Sequence, residues 1–177
     1  MIKFDTNYNL HLKKGRILDP DYSKYLLLAT KKILDKAGVT FWLHFGTLLG
    51  AYRDKAFIPW DSDVDIALFE SDKEKVMSLI EAGEFRDKGL LYFRNDVLEG
   101  RGSLVSLCYE TDYLDMNFYE KIGDRYYCHA HYTEASHIEP LSEIEFLGET
   151  FKTVNDIELY LTRYDNWRTP SPQHAPY

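Results

Sequence analysis

The sequence predicts an α+β (mixed α/β) fold, a mixed sheet flanked by helices in a single compact domain, on three observations. The first third alternates helical and strand patterns, the middle carries short strands separated by turn residues, and an otherwise apolar strand pattern is interrupted by Asp61, Asp63 and Asp65. Helix-strand-helix-strand-helix followed by a meander is the order of a mixed sheet under helices. A chain of 177 residues fits one domain.

Residues 1–18 are mixed and irregular and read as an N-terminal arm; residues 19–168 read as the folded domain and 169–177 as a loose C-terminal tail. Asp19-Pro20-Asp21 opens a helix with a cap residue, proline at the first position and an acid in the first turn. Tyr22, Tyr25, Leu26, Ala29 and Ile33 then recur at helical spacing, and Gly38 ends the run. Val39 to Phe45 reads as a buried strand, Leu48 to Arg53 as a short helix, and Ile58 to Phe69 as a strand. Ser71 with Glu74 forms a capping box for a helix striped by Val76, Leu79 and Ile80 and closed by Gly83. Leu90–Phe93, Leu104–Tyr109, Tyr113–Tyr119 and Arg125–Cys128 are strand candidates, with turns at Asn95-Asp96, Glu110 to Asp112 and Gly123-Asp124. Glu143 to Thr153, with Gly148, reads as a hairpin, and Asn155 with Glu158 as the cap of a last helix carrying Ile157, Tyr160, Leu161 and Tyr164.

A net charge of -8 argues against a sequence-independent nucleic-acid binder, which needs a basic surface. A phosphate-bearing substrate therefore requires a local basic patch or a metal. Two cysteines make no disulfide framework and suit a reducing compartment. The N-terminal residues lack the apolar core of a signal peptide, and no apolar run approaches the roughly 20 residues that span a bilayer. The expectation is a soluble, cytoplasmic protein without a membrane span.

Side chains two apart on a strand share a face, so Asp61, Asp63 and Asp65 would repel one another unless a hard divalent cation, Mg²⁺ or Mn²⁺, sits among them. The surrounding Val64, Ile66, Ala67 and Leu68 mark a buried region, and buried charges need partners or metals. Asp63 and Asp65 are the preferred ligands; Asp61 is a third ligand, a supporting group or a strand-entry cap. Asp115, flanked by apolar residues on a later strand, either joins the metal face and accepts a proton from an attacking hydroxyl, or is an exposed strand residue. Gly46-Thr47 follows a strand and opens a helix, which makes either a phosphate site from free N–H groups or an ordinary threonine-capped turn. Of the basic residues Arg53, Lys55, Arg94, Arg101, Arg163 and Arg168, Arg53 stands closest behind the Gly-Thr helix; Arg53 and Arg168 are assigned to the substrate. Cys128, His129, His131 and His137 raise zinc, with a spacing that matches no common closed site; the alternative is a strand end with exposed histidines.

Two longer stretches carry a resemblance. His44-Phe45-Gly46-Thr47-Leu48-Leu49-Gly50-Ala51-Tyr52-Arg53 followed by Phe57-Ile58-Pro59-Trp60-Asp61-Ser62-Asp63-Val64-Asp65-Ile66 resembles the signature of the LicD family, within the nucleotidyltransferase fold of the DNA polymerase beta superfamily. Tyr160-Leu161-Thr162-Arg163-Tyr164 with Trp167-Arg168-Thr169-Pro170 is similar to that family's C-terminal signature. The family includes bacterial phosphocholine transferases and fukutin-related ribitol-phosphate transferases. The resemblance implies transfer of a phospho-alcohol group from a CDP-linked donor to a hydroxyl of a glycan or lipid-linked glycan. It implies metal at Asp63 and Asp65 with Asp61, donor contact at Gly46 and Thr47, and Asp115 as the third acid. The cysteine-rich zinc insertion of the fukutin-related branch has no counterpart. Two other readings remain: nucleotide transfer from an NTP on the same metal face, and a non-catalytic binding module on the same fold.

Overall fold

A computed structural model describes residues 17–97, 102–128 and 131–172. In chain order the elements are α1 (Pro20–Lys36), β1 (Phe41–Leu43), α2 (Phe45–Arg53), β2 (Val64–Phe69), α3 (Lys73–Ala82), β3 (Leu91–Val97), β4 (Ser103–Tyr109), β5 (Asp112–Ile122), β6 (Arg125–Cys128), β7 (His131–Glu134), α4 (Ala135–Ile138), β8 (Ser142–Phe146), β9 (Glu149–Thr153) and α5 (Ile157–Leu161). They form the mixed sheet with flanking helices that the pattern predicts. The strand order is β3-β4-β5-β2-β1-β9-β8, with β6 and β7 continuing from the end of β5. β2 runs parallel to β5 and β1 parallel to β9; the other pairs are antiparallel.

Local chemistry explains most boundaries. Asp19 caps α1 by accepting from the N–H groups of Asp21 and Tyr22, and Pro20 occupies the first helical position. Buried Asp112, at the start of β5, accepts from Asp19 N at 2.9 Å and Ser23 Oγ at 2.6 Å, which ties the first turn of α1 to the sheet. Leu18, placed in the arm by the sequence, is buried in the core, and its N–H donates to the Asp61 carbonyl. Gly83 terminates α3 in the left-handed region at φ 86°. The β8–β9 turn is Leu147-Gly148, both at positive φ, a two-residue hairpin connection matched to strand twist.

Several expectations are corrected. β2 begins at Val64, not Ile58: Pro59 lacks an N–H, and Asp61 N bonds back to the Ile58 carbonyl, so residues 58–61 turn instead of extending. β1 covers three residues because α2 already starts at Phe45. The Ser71–Glu74 box does not form; a short 3-10 turn at Glu70–Asp72 leads into α3, whose cap position Asp72 makes no side-chain cap bond. α5 is capped by Asp156, whose carboxylate accepts from Leu159 N at 2.9 Å, whereas Asn155 bonds to α4 and its flank. Asn95 and Asp96 lie within β3, held by pairing with β4. β7 and α4 were not anticipated from the sequence.

The core lies on both sides of the central strands. Trp42, fully buried, packs against Phe69 and Tyr119, and Phe151 packs against Phe41 and Phe146. No helix among the described residues is long and apolar enough to cross a membrane. On α2, Gly50 allows the 56–58 segment to press against the helix: a Cβ there would lie 2.5 Å from the Ala56 carbonyl oxygen and 3.2 Å from Ile58 N. Both neighbours are backbone, so they cannot rotate away. Gly50→Ala is therefore expected to destabilise the fold by about 1–3 kcal/mol despite alanine's better helix propensity. Denaturant unfolding measures it, and an unchanged midpoint would show that the loop can retreat freely.

Candidate active site

Alignment of neighbouring strands builds the site. Asp65 pairs with Asp115 across the parallel β2–β5 ladder, Asp115 pairs with Ser106 on β4, and Ser106 pairs with Arg94 on β3. Paired residues project from the same sheet face, so the four form a polar row across adjacent strands. Asp63, in the loop just before β2, completes the acidic group. Ligand oxygens of Asp63, Asp65 and Asp115 all lie within 4.8 Å of one another. Among the described residues this is the one such cluster of metal-binding side chains.

Asp61 stands apart from that trio. Its carboxylate accepts from Ser62 N at 3.0 Å, and its carbonyl accepts from Leu18 N. The premise that all three aspartates alternate along one strand is corrected: only Asp65 is on β2, and Asp61 anchors the turn that precedes it. Asp61 is therefore not brought in as a ligand with the other two.

Each acid has its own polar partners. Asn117 Nδ2, also on the polar face of β5, donates to Asp65 Oδ1 at 3.0 Å. Ser62 Oγ donates to Asp63 at 3.0 Å, and the Tyr113 hydroxyl bonds to Asp63. Arg94 Nη2 donates to the two oxygens of Asp115 at 2.7 and 2.6 Å, and Ser106 Oγ donates to Asp115 Oδ1 at 2.6 Å. One guanidinium does not balance the crowding. Burial, then the charge of Asp115, pushes Asp63 up to about 6. Burial, then Asp63, Asp115 and Asp61, pushes Asp65 well above the usual carboxylate range. Burial, then Asp63, pushes Asp61 up to about 7. Such a site calls for positive charge. An all-oxygen donor set of three carboxylates fits a hard divalent cation, which Asp63, Asp65 and Asp115 would hold.

The start of α2 meets the acidic face directly. Thr47 Oγ1 accepts the Asp65 N–H at 2.8 Å, so Thr47 ties the helix to β2 and does not cap it, as the sequence suggested it would. The helix starts two residues earlier, at Phe45, which adopts φ 38°. Phe45 N–H donates to the Tyr160 hydroxyl at 3.1 Å, and Arg163 Nη1 donates to the same oxygen at 3.1 Å. With both acceptor positions taken, the Tyr160 proton goes to His44 Nδ1 at 2.7 Å, and His44 Nε2–H faces the Tyr119 hydroxyl at 3.1 Å. The ring tautomer follows from this network. Arg163 stacks over Tyr160 at 3.8 Å and over Phe45 at 5.4 Å. The hydroxyl of Tyr164 is buried with no hydrogen-bond partner among the described residues, and burial, then Tyr160, with smaller contributions from Asp65 and Asp61, raises its pKa.

Two residues assigned to the substrate are engaged elsewhere. Arg53 lies at the far end of α2 from Gly46 and Thr47; it pairs with Asp54 through two nitrogens and donates to the Trp167 carbonyl at 3.0 Å. Arg168 pairs with Glu158 at 2.7 Å and stacks over Trp167 at 4.2 Å. Arg53 secures the chain after α5 against α2, and Arg168 pins that chain back onto α5, because planar guanidinium groups match carboxylate, carbonyl and ring together. Arg94 and Arg163, named among the basic candidates but passed over for Arg53, are part of the site; the missed contributors are Ser106, Tyr113, Asn117 and the His44, Tyr119 and Tyr160 side chains. Alternation from Asp115 signals Asn117, and the strand pattern places Tyr113; the cross-strand register that brings in Arg94 and Ser106, and the packing of α5 on α2 that assembles the histidine network, are not written locally in the sequence. His129 lies outside the described residues, as does the His131 side chain. Cys128 is buried, and burial, then the charges of Glu70 and Asp65, pushes its thiol up to about 12, so that thiol stays protonated at neutral pH.

These shifts set a pH dependence. The acids' folded pKa values lie above their unfolded ones, so their contribution is fully present below about pH 4 and is lost as pH rises through about 6 to 7. In chelator, this contribution makes the melting temperature fall between pH 5 and pH 8. Asp61→Asn, which removes a buried charge without changing shape, is expected to flatten that fall and raise the melting temperature at pH 8 by several degrees. Calorimetry at the two pH values reads both effects, and an identical pH slope in the variant would refute the assignment.

Comparison with known proteins gives a family and a fold. The sequence profile of the LicD/FKTN/FKRP nucleotidyltransferase domain matches residues 38–156. The Homo sapiens ribitol-5-phosphate transferase FKTN is 43% identical over 68 residues, 38% of this chain and 14% of that protein. The Homo sapiens ribitol 5-phosphate transferase FKRP is 30% identical over 141 residues, 73% of this chain and 28% of that protein. The chain thus spans less than a third of the length of either relative. Among solved structures, the antibiotic-resistance factor ANT(2'')-Ia in solution has a TM-score of 0.54 at 14% identity, covering 84% of this chain and 77% of its own. Its crystal structure in complex with adenylyl-2''-tobramycin has a TM-score of 0.52 at 14% identity, covering 83% of this chain and 80% of its own. These two likenesses are of fold. With its profile matched through α2 and the three acidic positions, the chain belongs to the LicD/FKTN/FKRP nucleotidyltransferase-domain family.

Proposed function

We propose that this domain is a metal-dependent transferase that moves a phospho-alcohol group from a CDP-linked donor to a hydroxyl of a glycan or lipid-linked glycan, releasing CMP. The observation that carries the reading is the convergence of Asp63, Asp65 and Asp115 on one point beside the first turn of α2. Family membership and the names of its relatives, ribitol phosphate transferases, support the choice of a phospho-alcohol as the transferred group.

Asp63, Asp65 and Asp115 would hold Mg²⁺ or Mn²⁺, which when bound supplies the positive charge that a diphosphate requires. The chain's own residues do the positioning. Asn117 fixes the rotamer of Asp65, and Thr47 fixes the start of β2 against α2. Gly46, one residue earlier and without a Cβ, lets a phosphate oxygen approach the first-turn N–H groups, where the helix dipole favours anions. In the reaction, the acceptor oxygen bonds to the phosphorus that bears the alcohol, the bond from that phosphorus to the CMP oxygen breaks, and the hydroxyl proton passes to a carboxylate of the trio.

Turnover of a CDP-alcohol, with CMP as product, tests the reading in the chain as it stands. CDP-ribitol, CDP-choline and CDP-glycerol are compared with CTP and ATP, each with Mg²⁺ or Mn²⁺, by thermal shift and by product analysis. A CDP-alcohol is expected to stabilise the protein most, by mass action on the folded state. Pyrophosphate release from an NTP in place of CMP would overturn the donor assignment. Asp63→Ala and Asp65→Ala should each lower turnover by roughly a thousandfold or more while the far-UV spectrum stays native. Near-normal turnover by either folded variant would remove the trio from the chemistry.

A further inference from the structure

Among the described residues, the guanidinium held on the acidic trio belongs to Arg94. Arg94 lies at the end of the polar row, and its Nη2 donates to both oxygens of Asp115 while its Nε donates to Ser106 Oγ at 2.8 Å. The rings of Phe93 and Tyr113 lie 5.8 and 6.0 Å from its carbon, and Asp96 stands 3.9 Å away. The side chain is 27% exposed, so part of it faces solvent. A cation that ligates Asp115 would use the oxygens that Arg94 already holds, and two positive charges so close together repel.

We propose that Arg94 is a resident countercharge that competes with the divalent cation for Asp115, and that it exchanges onto a phosphate oxygen of the donor when the cation arrives. The inference rests on the metal-dependent reading above. Without the cation, the guanidinium shields the charge of Asp115 and keeps the carboxylate in place. With it, the fork leaves Asp115 and turns toward solvent, where the donor diphosphate offers a matching pair of oxygens. Rotation about a long, partly exposed side chain is enough; no strand has to move. Cation and donor are then linked through Arg94: each favours the released state, so each strengthens binding of the other.

The test is Mn²⁺ affinity, read from the paramagnetic signal of the free ion, for the full chain and for Arg94→Gln and Arg94→Lys. Removing a competitor should tighten binding, so Arg94→Gln is expected to bind Mn²⁺ about tenfold more tightly than the unaltered protein, within the usual span of site-to-site coupling. Arg94→Lys, a point charge without the fork, should fall between them. Arg94→Gln should also melt lower in chelator and gain more from Mn²⁺. If Arg94→Gln does not fold, the lysine variant decides: tighter binding supports the exchange and unchanged or weaker binding overturns it. Equal or weaker Mn²⁺ binding by a folded Arg94→Gln, with the unaltered protein binding normally, overturns this inference and leaves the metal reading standing. Absence of binding in all three proteins overturns both.

Discussion

The parallel pairing of β2 with β5 is the constraint on which the site depends. It sets Asp65 beside Asp115, and a one-residue slip would turn one carboxylate to the opposite face. The alternate residues Val64, Ile66, Leu68, Leu114, Met116 and Phe118 are all fully buried, so slipping the register would expose a large apolar face. The hydrophobic core thus holds mutually repelling charges together. Charge crowding of this kind is a local liability that the rest of the fold tolerates, and such crowding is a mark of functional sites.

The second support is the way α2 is held. Its first turn is fastened to β2 by Thr47 and to α5 by the Tyr160 hydroxyl, and its last turn is fastened to the chain beyond α5 by Arg53 and to α5 by Tyr52. A helix fixed at both ends keeps its first N–H groups in a constant position relative to the carboxylates. Phe45 at positive φ is a cost at that junction, offset by ring contacts with His44 and Arg163.

Much of this was legible in the sequence. Cap residues and apolar periodicity locate α1, α3 and most strands because those signals are local. The acid at Asp115 stands out because it interrupts an apolar alternation, and the Gly46-Thr47 and Asp63/Asp65 pair are recognisable as a linked motif. Three things were not legible. The turn at Pro59 to Asp61 hides inside what reads as one long strand, so Asp61 was grouped with residues it does not join. Arg53 and Arg168 look like phosphate ligands by proximity in sequence, whereas in the fold Arg53 holds Asp54 and the Trp167 carbonyl and Arg168 pairs with Glu158. Arg94 reaches Asp115 only through the alignment of β3, β4 and β5, a long-range property that local propensity does not encode.

The hydroxyl that receives the Phe45 N–H belongs to Tyr160, whereas the family match ends at residue 156. A chain cut at that apparent border would keep every acid of the trio yet leave the entry to α2 without its partner, and would strand the buried His44 imidazole opposite an empty space. The functional unit therefore extends past the border that sequence similarity draws, through Arg163 at least.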